Sequence, residues 1–193
     1  KEQILEFREN KIFLPGIILS PNLFPSNDIE DIVTRKDLVL IVVPSHVMRE
    51  TAMKISSLVE RDTIIVSASK GIENSTYLTM SGVLKECIPG IPEGNFTALS
   101  GPSFAKEVAR KVPTAVTAAS KDPDAAAFVQ CVFATPFFRV YTNDDVTGVE
   151  LGGAVKNIIA IAAGVIDGLG LGLNTRAALI TRGLTEIRRL GLA

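Results

Sequence analysis

One lysine, Lys156, stands out as a candidate for acid–base chemistry. The spacing of hydrophobic residues around it predicts a helix, and Lys156 falls on a face of small side chains that includes Gly153. A lysine that is partly withdrawn from water loses stability in its charged form and can accept a proton near neutral pH. Asn157, the next residue, can donate a hydrogen bond to a ligand oxygen. Lys156 is therefore a candidate catalytic residue, and Asn157 a candidate for substrate binding.

Two glycines, Gly152 and Gly153, lie just before this lysine. A glycine inside a helix costs about 1 kcal/mol relative to alanine, so the pair predicts that a ligand or another helix approaches the backbone closely. The alternative is that this segment is only a packing groove, from which Lys156 extends into solvent. The spacing of the residues does not decide between the two.

The ends of the helices can be predicted from capping patterns. Thr147 and Glu150 fit a capping box, which predicts that the helix begins at Thr147, and Gly168 is suited to its end. Asn174 fits the cap of a final helix, which we expect to continue to the last residue, Ala193.

The elements that must position these residues alternate between strand and helix. Residues 38–43 and 63–67 are unbroken apolar or β-branched runs, typical of strands buried on both faces. The remaining predicted strands are residues 95–100, 114–119 and 137–141, and the helices are residues 28–35, 47–60, 75–87, 104–111 and 124–133. This alternation predicts an α/β fold, a partial Rossmann-like and mostly parallel sheet with helices on both faces. Only helices are predicted after residue 143, so residues 144–193 should begin an all-α domain.

Three loops should meet at one edge of this sheet. In open α/β sheets, ligands bind beyond the carboxyl ends of the strands. Pro44 and Ser45 follow the first of these strands, Lys70 follows the second, and residues 101–105 follow the third. Gly101 permits a close backbone approach, and the free N–H groups of the helix that follows favour an anion or an oxygen-rich ligand. Each loop alone could be an ordinary turn or cap, but together they predict a ligand site.

Composition narrows the classes of function. The chain has 193 residues, a net charge of −1 and 47% hydrophobic residues, which is typical of a soluble globular protein and argues against a partner that is nucleic acid or a membrane surface. The apolar run of residues 158–166 is too short to cross a bilayer. Cys87 and Cys131 lie far apart, which predicts free buried thiols in a reducing compartment, the cytoplasm. His46 is the single histidine, so no metal site is predicted.

Six motifs occur in order along the chain: residues 67–71, 99–107, 113–115, 138–145, 148–157 and 174–183. Together they closely resemble NAD(P)-dependent glycerol-3-phosphate dehydrogenases, the bacterial type above all, over essentially the whole chain. The resemblance implies interconversion of sn-glycerol 3-phosphate and dihydroxyacetone phosphate with NAD(P) as the cofactor, supplying glycerol 3-phosphate for phospholipid synthesis. It also implies that residues 1–143 are an incomplete NAD(P)-binding domain and that residues 144–193 begin the substrate-binding and catalytic domain.

The resemblance also implies roles for individual residues. Lys156 matches the family's proton acceptor on the C2 hydroxyl. Lys70 matches a lysine that contacts the substrate and lies near the cofactor. The other implied site residues are Gly101, Ser103 and Asn157 for substrate, and Pro44, Ser45 and Ala105 for cofactor. The oligomeric state is open, with a homodimer as one option.

The chain also departs from the family pattern. It lacks the Gly-x-Gly-x-x-Gly turn with which the family opens, and the second helical half would lie after Ala193. We therefore expect a fragment that is inactive by itself. Two alternatives stay open: another lysine-dependent dehydrogenase of the same superfamily, or a non-catalytic fragment that only packs or dimerises. The preference between NAD and NADP is not decided, because the residue that would meet the ribose is missing.

Overall fold

The computed structural model describes residues 1–192, and its centre is a five-stranded sheet. The strand order in this sheet follows the chain. Its strands are β3 (Leu38–Ile41), β4 (Ile64–Ser67), β5 (Phe96–Ser100), β6 (Thr114–Ala119) and β7 (Phe138–Asn143). A separate antiparallel pair lies near the amino terminus and consists of β1 (Glu9–Asn10) and β2 (Leu14–Ile18).

The sheet is parallel except at one pair of strands. β3 with β4, β4 with β5, and β6 with β7 are parallel, whereas β5 and β6 are antiparallel, with Ser100 opposite Thr117. The prediction of a mostly parallel sheet is confirmed, but a helical crossover between β5 and β6 is not formed. The helix between them, Ala105–Ala109, rises only about 7 Å, less than half the length of the strand it would have to span. Residues 101–113 therefore stay at the carboxyl end of β5.

Helices cover both faces of this sheet, as predicted. The helices are α1 (Glu2–Phe7), α2 (Ile29–Val33), α3 (Met48–Ile55), α4 (Met80–Cys87), α5 (Ala105–Ala109), α6 (Pro123–Phe133), α7 (Val146–Gly168) and α8 (Gly172–Leu190). Residues of α2, α3 and α4 form one buried cluster with β3, β4 and β5. On the opposite face, Val129 of α6 packs against Val66, Val116 and Val140. In the described chain, the elements after Asn143 are all helical.

Helices α3 and α4 supply much of the core. Met48, Ala52 and Ile55 recur at helical spacing and are fully buried, as are Met80 and Leu84. Burying a side chain of this size contributes about 1.5–3 kcal/mol. These two helices are therefore held firmly against the sheet, and α4 anchors the end of the loop that follows β4.

Several elements are shorter than predicted. The first strand of the main sheet ends at Ile41 instead of residue 43, and α4 begins at Met80 instead of residue 75. The backbone at Tyr77 is left-handed, with φ of 59°, which interrupts a helix before Met80. Residues 68–79 consequently form a long loop after β4.

The caps of the last two helices differ from the prediction. Asp145 caps α7, because its Oδ1 accepts a hydrogen bond of 2.9 Å from the backbone N–H of Gly148. The predicted capping box is therefore wrong, and Glu150 is directed elsewhere. Helix α8 begins at Gly172, so the predicted cap at Asn174 is also wrong. This helix ends at Leu190 instead of continuing to the end of the chain, and Ala193 lies outside the described residues.

Helix α7 is longer than the apolar run considered in the sequence. It has 23 residues and, by length and composition, is apolar enough to cross a membrane. A helix of this kind also occurs in the core of soluble proteins. In this fold α7 packs against α8 and along β5, and its second turn carries the buried carboxylate of Glu150.

The two cysteines differ in exposure. Cys87 and Cys131 are both free thiols, as predicted. Cys87 is half-buried in α4, where burial raises the pKa of its thiol, while Cys131 is exposed on α6. The prediction that both thiols are buried is therefore wrong for Cys131, because α6 turns that side chain away from the sheet.

Helices α7 and α8 pack closely at one glycine, which gives a stability prediction. A Cβ atom on the buried Gly183 would lie 2.5 Å from Cδ1 and 2.9 Å from Cγ1 of Ile159. We expect Gly183→Ala to lower the free energy of unfolding by about 1–3 kcal/mol, because overpacking forces the two helices apart. Chemical denaturation measures this change.

Gly164 provides a matched control, because a Cβ there meets nothing within 4 Å. Gly164→Ala should leave stability unchanged or raise it by up to about 1 kcal/mol through helix propensity. Equal effects of the two substitutions would show that Gly183 is not a packing contact.

Candidate active site

Lys70 joins the ends of two neighbouring strands. It lies in the loop after β4, and its Nζ donates a hydrogen bond of 2.9 Å to the backbone carbonyl of Gly101, just after β5. The pKa of Lys70 is lowered, first by partial withdrawal from water and second by the positive charge of Lys156. The two ammonium groups are therefore electrostatic neighbours at the carboxyl edge of the sheet.

Lys156 reaches this edge from α7. Its side chain is half-buried, and its Nζ donates a hydrogen bond of 2.7 Å to Oδ1 of the exposed Asn157. The Asn157 amide thus holds the amine while its own nitrogen stays free to donate to a ligand. The packing-groove alternative stays open, because Gly153 packs closely and Asn157, the partner of the amine, is exposed.

A close approach near the two glycines occurs at Gly153, but its partner is the end of a strand and not another helix. A Cβ atom there would lie 2.6 Å from Oγ of Ser100 and 3.7 Å from Cγ of Lys70. At Gly152 a Cβ would meet nothing within 4 Å. The element that approaches the helix is the end of β5, and Gly153 allows α7 to lie directly on it.

The loop after β3 is tied to the loop after β4. Oγ of Ser69 donates a hydrogen bond of 2.6 Å to the carbonyl of Val43 and accepts one of 3.0 Å from its N–H. Ser45 lies so close to Gly71 that a Cβ there would be 2.8 Å from the Ser45 Oγ. Because Gly71 also has φ of 137°, a glycine is needed at this position. Ser45 and Pro44 are thus placed beside the Lys70 loop.

The loop after β5 carries the remaining predicted residues. Gly101 packs against the backbone of β6, where a Cβ would lie 2.8 Å from the carbonyl oxygen of Ala115. Oγ of Ser103 is 3.5 Å from the Gly101 carbonyl oxygen, a long and weak hydrogen bond. Ala105 is exposed and begins α5, which has only five residues, so the expected anion site has little more than one turn of helix behind it.

The predicted residues are brought together to different degrees. Lys70 contacts Gly101, and Lys156 contacts Asn157. The two pairs meet through Gly153 of α7, which lies against Lys70, and Ser45 joins them through Gly71. Pro44, Ser103 and Ala105 lie on the same edge of the sheet, but within residues 1–192 no hydrogen bond joins them to either lysine. Among the same residues, no three His, Cys, Asp or Glu side chains are grouped as a metal site requires.

Sequence reasoning missed a cluster that holds the Lys70 loop. The guanidinium of Arg49 on α3 donates to both carboxylate oxygens of Glu73, at 2.9 and 2.8 Å, and to Glu86 of α4 at 3.1 Å. Glu73 follows Lys70 by three residues. This bidentate ion pair therefore fixes the middle of the loop to two core helices. Nothing in the spacing of Arg49 and Glu73 indicated the contact, since they come from different elements.

The ion pair predicts a defined acid response. Hydrogen bonds from Arg49 and then Thr76 lower the pKa of Glu73 to about 2. In the unfolded chain a glutamate titrates near 4.3. A lowered pKa stabilises the fold at every pH above the unfolded value, and this contribution is lost as the pH falls from about 4.3 to about 2. We expect an NMR titration of the Glu73 carboxyl to show a midpoint close to 2.

The matched test removes the partner charge. Arg49→Met should move the Glu73 midpoint upward and reduce the loss of stability on acidification, whereas substitution of the exposed Arg61 by methionine should do neither. A Glu73 midpoint near 4 in the unsubstituted protein would contradict the ion pair.

Comparison with known proteins assigns the family. The family model described as the N-terminus of NAD-dependent glycerol-3-phosphate dehydrogenase matches residues 1–126, and the model of its C-terminus matches residues 145–193. The chain belongs to this family. The resemblance drawn from the six motifs is thereby confirmed.

Relatives and solved structures agree with this assignment. A glycerol-3-phosphate dehydrogenase (NAD(P)+) of Geobacter sulfurreducens is 54% identical over 192 residues, covering 100% of this chain and 57% of the relative. The glycerol-3-phosphate dehydrogenase structure from Coxiella burnetii matches with a TM-score of 0.87 and 38% identity, covering 98% of this chain and 57% of that chain. The one from Saccharomyces cerevisiae matches with a TM-score of 0.87 and 30% identity, covering 98% and 56%. The chain spans a little over half the length of these relatives.

In a chain of this family, the edge formed by β3, β4 and β5 suits an anionic ligand through its charge. Its glycines serve close packing, since Gly71 lies against Ser45 and Gly101 lies against β6. Two lysines supply positive charge on one side. Parallel strands that end together are also where open α/β sheets bind dinucleotides.

Proposed function

We propose that the full-length protein is an NAD(P)-dependent oxidoreductase that interconverts sn-glycerol 3-phosphate and dihydroxyacetone phosphate. The observation that carries the proposal is that α7, the helix of Lys156, lies against Lys70 at Gly153 on the carboxyl edge of the sheet, in a chain of this family. The relatives described above are glycerol-3-phosphate dehydrogenases, which supports this reaction.

In this proposal Lys156 handles the proton. It accepts the proton of the C2 hydroxyl during oxidation and returns it during reduction, while its positive charge stabilises the alkoxide that develops. Asn157 orients the amine through the hydrogen bond of 2.7 Å and donates its own N–H to the substrate oxygen. Burial and then the charge of Lys156 lower the pKa of Lys70, so an anion bound between the two amines relieves their repulsion.

Substrate and cofactor are held by the three loops. Lys70, Gly101 and Ser103 contact the substrate, and Pro44, Ser45, Lys70 and Ala105 contact the NAD(P). When bound, the nicotinamide exchanges a hydride with C2 of the substrate. Helix α7 lies against the end of β5 at Gly153, so it borders this site on one side.

We also propose a cellular role and an oligomeric state for the enzyme. The enzyme supplies glycerol 3-phosphate for phospholipid synthesis in the cytoplasm, where free thiols such as Cys87 and Cys131 stay reduced. It also forms a homodimer. The exposed apolar surface of α7 and α8, including Ile161 and Leu173 at 69% and 80% exposure, is available to a second copy or to the part of the relatives that this chain does not span. Light scattering after size-exclusion chromatography measures the oligomeric state.

The reaction is tested on the full-length protein. We expect oxidation of NADH or NADPH that depends on dihydroxyacetone phosphate and is much slower with unphosphorylated dihydroxyacetone. The loss of nucleotide absorbance measures the rate, and comparing the two nucleotides gives the cofactor preference. A folded protein that oxidises neither nucleotide in the presence of dihydroxyacetone phosphate would disprove the proposal.

The 193-residue chain alone should behave differently. We expect it to show no turnover, because it spans little more than half of its relatives. Titration with NADPH, followed by nucleotide fluorescence, separates two outcomes. Retained binding shows that the edge of the sheet holds cofactor by itself, and silence favours a segment that only packs or dimerises.

A further inference from the structure

A buried carboxylate on α7 has no part in the proposed chemistry. Glu150 is only 8% exposed, and its Oε1 accepts a hydrogen bond of 2.8 Å from the backbone N–H of Ser81. Its Oε2 accepts a second hydrogen bond, of 2.5 Å, from the Ser81 hydroxyl. Both oxygens of Glu150 are thus directed at one residue of another element.

Ser81 lies in the first turn of α4, where backbone N–H groups lack partners within the helix. Thr79, at the N-cap position, makes no side-chain capping bond. Glu150 supplies the missing acceptor from a different helix, and its negative charge suits the positive end of α4. A carboxylate is unfavourable in a buried place unless it is hydrogen-bonded in this way. The contact therefore holds only while α7 and α4 keep one relative position.

The two partners are connected to the two lysines of the site. Helix α4 follows the loop that begins after β4, and that loop carries Lys70. On α7, Glu150, Gly153 and Lys156 follow one another at intervals of three residues. Between the outer two, Gly153 lies against Ser100 and Lys70. The Glu150–Ser81 contact thus joins α7, which carries Lys156, to the start of α4, where the loop that carries Lys70 ends.

We infer that Glu150 is a positioning residue. By anchoring α7 to Ser81, it fixes where the helix, and therefore Lys156, lies relative to the edge of the sheet. The inference rests on the proposed function, in which Lys156 is the proton acceptor. The anchor lies less than two helical turns from Lys156, so a shift of α7 after its loss is passed directly to the amine. A helix contact with no such role would affect stability alone.

The experiment compares two substitutions of Glu150 in the full-length protein. Glu150→Gln keeps an oxygen for the Ser81 N–H and an amide group for its hydroxyl, so it should retain most of the wild-type kcat. Glu150→Ala removes both contacts and should lower kcat by about 10–100-fold, the order expected for a misplacement of about 1 Å, with little change in the KM for nucleotide. Circular dichroism and assays well below the melting temperature confirm that each variant is folded.

A double substitution shows whether the effect passes through Lys156. Glu150→Ala should add little further loss when Lys156 is already alanine, because the group being positioned is gone. A full multiplicative loss in the double variant would overturn the inference, as would equal kcat values for Glu150→Gln and Glu150→Ala. Should Glu150→Ala not fold, Ser81→Ala removes only the hydroxyl contact, and an unchanged kcat there would count against the inference. Turnover by the wild type separates these outcomes from failure of the proposed function.

Discussion

Replacing Lys156 with alanine is expected to lower kcat by about 10²–10⁴-fold, the range for loss of a general base. The amine takes up the C2 proton and stabilises the alkoxide only as the reaction proceeds. Its loss therefore removes stabilisation of the transition state, while the substrate still meets Lys70 and the loop after β5. The KM for substrate should change less than kcat. Steady-state kinetics of the full-length protein measure both.

A suitable control is Lys54→Ala. Lys54 is an exposed lysine on α3, paired with Glu50 of the same helix and away from the sheet edge. Its substitution should leave kcat unchanged. Small primary amines added to Lys156→Ala should restore part of the activity if the missing group is a proton acceptor. A Lys156→Ala enzyme with wild-type kcat would show that the base lies elsewhere.

The second large effect is expected at Gly153. An added methyl group would lie 2.6 Å from Oγ of Ser100, closer than carbon and oxygen atoms pack, so the Ser100 hydroxyl must rotate away or α7 must shift. Ser100 precedes Gly101, the partner of Lys70, and Lys156 lies three residues further along the helix. We expect Gly153→Ala to lower kcat/KM by about 100-fold, since a shift of about 1 Å at a reacting group has an effect of this order.

Gly152 offers a control that differs by one position. Alanine at Gly152 enters open space and should leave kcat/KM unchanged, with a gain in stability of up to about 1 kcal/mol. The comparison separates close packing from helix propensity, because both variants gain the same methyl group. If Gly153→Ala were as active as Gly152→Ala, the contact with Ser100 would not matter for catalysis.

Much of the fold could be predicted from periodicity. The local pattern of apolar residues indicates β3 and β4 through their buried runs and α3 and α4 through their helical spacing. The pattern is visible because one face or both faces of each element must be apolar. The antiparallel pairing of β5 with β6 could not be predicted in this way. The pairing depends on the length of the helix between the two strands, which has only five residues and cannot span the sheet. The order of strands and helices along the chain does not reveal that length.

In the candidate site, too, the sequence indicates individual residues but not the contacts between distant segments. Lys156 and Lys70 could be proposed from the sequence because a lysine in an apolar helix and a lysine after a buried strand are locally unusual. The contacts that hold them were not found, since Arg49 with Glu73 and Glu150 with Ser81 join segments far apart in sequence. Glu150 was assigned to a capping box because its spacing from Thr147 fits one. Spacing cannot reveal that a side chain has a better partner 69 residues away.

The segment between the antiparallel strands β5 and β6 is free to vary in length during evolution. Residues 101–113 leave the sheet and re-enter it at the same end, so their number is not tied to the distance across the sheet. Insertions or deletions there can reshape the loops at the carboxyl edge of the sheet while the hydrogen-bond register of both strands is preserved. This segment is therefore the place where new ligand selectivity can evolve at the least cost to folding.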